Sequence, residues 1–71
     1  MSTFRGILEC PGNPHDADAT IILRTLDCPL VLNLTPSMQS SLVHIVNSRK
    51  MVEIAGERDG ACIEVMGWSL F

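Results

Sequence analysis

Between Leu30 and Ile54 the hydrophobic period changes twice, and few folds accommodate both changes with so little chain between them. Leu30, Leu32 and Leu34 alternate with Val31 and Asn33, so a period of two places the leucines on one face of a strand. The pattern breaks at Thr35-Pro36. There the Thr35 hydroxyl can accept from the free amides of a first helical turn, and Pro36 takes the position where a missing N–H is not felt. Met38, Leu42, Ile45 and Val46 then share one helical face, with Val43 off it. The spacing predicts a helix of about three turns, too short to be stable without packing. Asn47, Ser48 and Arg49 supply a residue tolerant of left-handed backbone and a cation at the negative end, which predicts a stop. After Lys50 the period returns to two, with Val52 and Ile54 inward and Met51, Glu53 and Ala55 outward as far as Gly56.

The rest of the chain reads as strand. Phe4, Gly6 and Leu8 alternate with Arg5, Ile7 and Glu9, predicting a first strand over Thr3–Glu9. Gly6 inside it marks a bend or a close approach of another backbone, as a strand shared between two halves of a small barrel requires. Cys10 to Asp18 holds two prolines, a glycine and an Asn-Pro step, and reads as the longest loop. Ala19–Leu26 is rich in branched residues and predicts a second strand, with Ile21 and Leu23 opposed to Thr20, Ile22 and Arg24. Asp27-Cys28-Pro29 turns tightly into the leucine strand. Asp59-Gly60 signals a second hairpin. It leads to a last strand over Cys62–Met66, where Ile63 and Val65 face inward and Gly67 can shift the register to return Trp68 or Leu70 to the core.

The order is strand, strand, strand, helix, strand, strand, in one domain spanning residues 1–71. With Gly6 in the first strand, the helix between the third and fourth, and the final run VEIAGERDGACIEV, the chain resembles the OB-fold, a mainly β, five-stranded Greek-key barrel plugged by one helix. The alternative arrangement is a β-grasp-like sheet in which the Phe4 strand adds at an edge. The OB resemblance implies a ligand surface on strands two and three: Thr20, Ile22, Arg24, Val31 and Asn33, flanked by the Asn13–Asp18 loop and by Glu57–Asp59. Single-strand binders stack bases on aromatic rings and follow the backbone with a basic groove. This chain has no tyrosine and a net charge of −3, and its flanking loops carry Asp16, Asp18, Glu57 and Asp59.

No apolar run reaches the roughly 20 residues that span a bilayer. The start, Met1-Ser2-Thr3-Phe4-Arg5, lacks the basic and apolar blocks of a secretory signal, so a soluble cytoplasmic protein is expected. Cys10, Cys28 and Cys62 form no CxxC pair and read as small hydrophobes. His15, Asp16 and Asp18, with Cys10 nearby, match no metal-site spacing. They read as solvated turn residues, with Asp16 or Asp18 bonding the local backbone. His44 has no nucleophile beside it, and Glu9, Glu53 and Glu64 fall on outward strand positions. No cofactor is implied.

With the inward set assigned, Ile7, Ile22, Val31, Met51, Met66 and Trp68 remain as apolar residues for the outer face, a surplus for so small a domain. Methionine and tryptophan are enriched at interface cores. The expected function is a non-catalytic binding or assembly module with a protein partner or a second copy of itself. The alternative is a single-stranded nucleic-acid binder using Arg5, Arg24, Lys50, Arg58 and Trp68. An enzyme is expected only if subunits share a site.

Overall fold

A computed structural model describes residues 2–71. The elements are β1 (Ser2–Glu9), β2 (Ile21–Arg24), β3 (Pro29–Asn33), α1 (Pro36–Leu42), β4 (Met51–Asp59) and β5 (Cys62–Leu70). The five strands form one sheet in the order β1-β2-β3-β5-β4, and β1 pairs with β4, so the sheet closes on itself. All pairings are antiparallel except β3 with β5. Because β1 has β2 on one side and β4 on the other, it is not the added edge strand of a β-grasp-like sheet.

One strand serves both halves because it changes partner midway. Ser2 to Ile7 pair with β4, Ile7 to Glu9 pair with β2, and the hand-over falls just after Gly6. A β-carbon on Gly6 would overlap the carbonyl oxygen of Arg24 and come within 3.2 Å of Leu23 Cδ1. Only glycine lets the two backbones come this close.

Leu8, Ile21, Leu23, Leu30, Leu32, Val52, Ile54, Ile63 and Val65 fill the interior. Leu42 and Val46 close it from the helical segment, with Met38 and Ile45 packed against them. Thr35 caps α1 as expected, its Oγ1 accepting from the Met38 amide at 3.2 Å, with Pro36 in the first turn.

Several boundaries differ from the expectation. The helix has seven residues; Val43 to Arg49 continue as turns, with Asn47 and Arg49 both at φ 63°. The second strand is Ile21–Arg24 rather than Ala19–Leu26; it ends early because Thr25 Oγ1 accepts from the amides of Asp27 and Cys28 and draws the chain into a turn. That turn makes the connection to β3 the four residues between Arg24 and Pro29. Leu34 lies beyond the strand but still packs on the core. The last hairpin is longer than predicted on both sides, with β4 running to Asp59 and β5 to Leu70. Gly60, at φ 62°, and Ala61 make its turn. The register shifts by one, with Ala55 opposite Gly67 and Gly56 opposite Val65, so Met66 is the extra residue. The shift puts Trp68 opposite buried Ile54, where it packs on the core, and leaves Leu70 57% exposed.

Candidate functional site: the outer face of the sheet

Outward positions follow from the register. On β1, Ile7 stands opposite Met51 of β4 and Arg24 of β2. The Phe71 amide donates to the Met51 carbonyl at 3.1 Å, which brings Phe71 to the other side of Met51. On the next row, Ile22 is opposite Val31, and Val31 is opposite Cys62. Two apolar lobes result, Phe71–Met51–Ile7 and Ile22–Val31–Cys62. They meet at the step between β1 and β2, where Ile7 and Ile22 are diagonal neighbours. Met51 and Phe71 are 44% and 67% exposed, while Ile7, Ile22 and Val31 are half-buried.

An ion pair crosses that step. Arg24 Nε donates to Glu9 Oε1, bridging the row of Ile7 to the row of Ile22. A second pair borders the Met51 lobe, with Arg5 Nε 2.9 Å from Glu53 Oε2 and the Arg5 guanidinium 4.2 Å from the centre of the Phe71 ring. At the Cys62 side, Asn33 Nδ2 donates to Glu64 Oε1 at 2.6 Å. The surface is therefore apolar in two patches and polar at its seam and rim.

Of the residues singled out in the sequence, Ile7, Ile22, Val31 and Met51 lie on these lobes. Met66 stands apart at the register shift, 60% exposed, and Trp68 is half-buried against the core. Cys62 and Phe71 join the lobes through strand pairing. Ile7 was legible as outward from the period of two, and Phe71 could have been reached only by counting back from the Gly60 turn through the one-residue shift.

The cations of the alternative set are dispersed. Arg5 and Arg24 hold carboxylates. Arg58 donates from Nε to the Gly60 carbonyl at 2.7 Å and from Nη2 to Cys28 Sγ at 3.8 Å, at the opposite end of β4 from Lys50.

A groove of about 470 Å³ separates the long loop from α1 and is lined by Pro14, His15, Gln39, Val43 and His44 among others. Gln39 Nε2 fixes its width, donating to the carbonyls of Pro14 at 3.1 Å and Asp16 at 2.7 Å. Within the loop the side chain that turns the backbone is Asn13, whose Oδ1 accepts from His15 N at 3.0 Å, rather than Asp16 or Asp18. Asn13 precedes Pro14 and reaches the amide two residues on. Cys10 is buried in the core, whereas His15 and Asp16 are exposed. Among the described residues no three His, Cys, Asp or Glu side chains gather as a metal site, and no helix is long and apolar enough to cross a membrane.

Comparison with protein-family models, curated proteins and solved structures gave no match for this chain.

Proposed function

We propose that the chain is an OB-type barrel that works as a non-catalytic binding module, meeting a protein partner with the two apolar lobes of its outer face. The barrel reading is supported by the strand order β1-β2-β3-β5-β4, the parallel pairing of β3 with β5 and the helix between β3 and β4. The observation that carries the function is the pairing of outward Met51 with Ile7 and of Ile22 with Val31, the two pairs meeting diagonally at Ile7 and Ile22. An apolar centre divided by a charged pair and bordered by polar side chains suits recognition of another protein surface. A nucleic-acid reading draws less support. Its arginines already hold partners within the chain, and its one tryptophan packs on the core.

The test is binding of a hydrophobic fluorescent dye to the parent chain and to the Ile22→Asp/Met51→Asp variant, with melting curves for both. Dye fluorescence that the variant loses while keeping a cooperative melt supports the lobes as the contact surface. A parent that binds no dye overturns it. Oligonucleotide affinity that falls steeply with salt would transfer the assignment to nucleic acid.

A further inference from the structure

Strand β1 leaves a gap where it parts from β2. The two are in register from Ile7 to Glu9, and β2 ends opposite Ile7, so Thr3 and Arg5 have β4 on one side and no strand on the other. The direction of their main-chain groups follows from Asn47, which bonds Leu8 O and both main-chain groups of Cys10 from the side away from β2. Strand residues alternate between the two sides. Ile7 therefore points at β2, and Thr3 and Arg5 present their N–H and C=O to the gap, with no main-chain partner there among the described residues.

The gap is a cleft of about 280 Å³, lined by Thr3 and Arg5 of β1, Asp27 and Cys28 of the β2–β3 turn, and Arg58 of β4 among others. Arg58 lies toward the end beyond Ser2, since Ser2 is opposite Gly56. Its Nε donates to Gly60 O and its Nη2 to Cys28 Sγ, which leaves Nη1 without an acceptor among the described residues. Arg5 and Arg24 each hold a glutamate, but no described carboxylate holds Arg58. Main-chain groups along one wall and a guanidinium without a counter-ion at the end complement an extended peptide that finishes in a carboxylate. Charge selects that ligand over a phosphate. Asp27 lines the same cleft and Glu53 already balances Arg5, so one negative charge is accommodated at Arg58 and a polyanion is opposed.

We propose that this cleft binds the C-terminal end of an extended peptide, its main chain bonded to Thr3 and Arg5 and its terminal carboxylate on Arg58. With Arg58 beyond the N-terminal end of β1, the bound peptide runs antiparallel to that strand. Phe4 and Leu30, which also line the cleft, give its last side chains an apolar contact. The site uses none of the apolar residues of the two lobes, so it stands or falls separately from the outer-face reading.

Amide NMR spectra of the parent, titrated with acetyl-Thr-Val-Ala ending in a free carboxylate and with the same peptide ending in a carboxamide, test it. The acid is expected to shift the Thr3 and Arg5 amides and to bind about tenfold or more tighter than the carboxamide. That comparison needs no variant. Arg58→Gln should remove the preference while keeping a cooperative melt, and Ile22→Asp/Met51→Asp should retain it. Peptides that leave the Thr3 and Arg5 amides unmoved, acid and carboxamide that bind alike, or a preference that survives Arg58→Gln overturn the proposal. Acetate that shifts the same amides as strongly as the peptide also overturns it, since the cleft then takes an adventitious ion only. Loss of dye binding in the lobe variant, by contrast, bears only on the outer face.

Discussion

The side chain of Asn47 pairs with the main chain of Cys10 as a neighbouring strand would, its Oδ1 accepting from Cys10 N at 3.2 Å and its Nδ2 donating to Cys10 O at 3.3 Å. The Asn47 amide also donates to Leu8 O at 3.0 Å. The residue that ends the helical segment thus holds the end of β1, and it does so at φ 63°, which asparagine tolerates better than most side chains. Replacing Asn47 with Ala loses both side-chain bonds and strains the backbone, and should cost about 2 kcal/mol. Asn47→Gly keeps the backbone geometry and should cost less. Urea unfolding of both variants separates the two contributions; equal losses would remove the backbone component.

Gly6 permits the contact between β1 and β2, so Gly6→Ala should destabilise the fold by about 1–3 kcal/mol even though alanine favours folding in open strand positions. Gly12, with nothing within 4 Å of an added β-carbon, is the control, and Gly12→Ala should be close to neutral. Denaturant midpoints at unchanged slope would check both.

Leu42 and Leu26 are the same residue type in opposite settings. Leu42 is fully buried beneath the sheet's end and Leu26 fully exposed on the β2–β3 turn. Leu42→Ala should cost about 2–5 kcal/mol and Leu26→Ala within about 0.5 kcal/mol. Thermal unfolding measured side by side tests whether the helical segment is part of the core; a small loss at Leu42 would make it a peripheral attachment.

Thr35→Ala removes the acceptor for the Met38 amide and should cost about 1 kcal/mol, with Thr35→Ser recovering most of it. Because α1 has only seven residues, the loss should also appear as faster exchange of the Met38 amide.

Some features are fixed by interactions a few residues long, and these were legible in the chain. The capped start at Thr35-Pro36, the inward sets Leu30/Leu32, Val52/Ile54 and Ile63/Val65, and the glycine within β1 all follow from period and stereochemistry. Contacts distant in sequence decided the rest. The one-residue shift at Met66 turned Trp68 inward, whereas the Thr25 turn that shortens β2 is itself local, its bonds spanning two and three residues. The lobes exist only because separate strands come into register, as Ile7 does with Met51 and Ile22 with Val31. A period of two tells a side chain which face it is on, whereas which strand lies beside it depends on closure of the whole sheet.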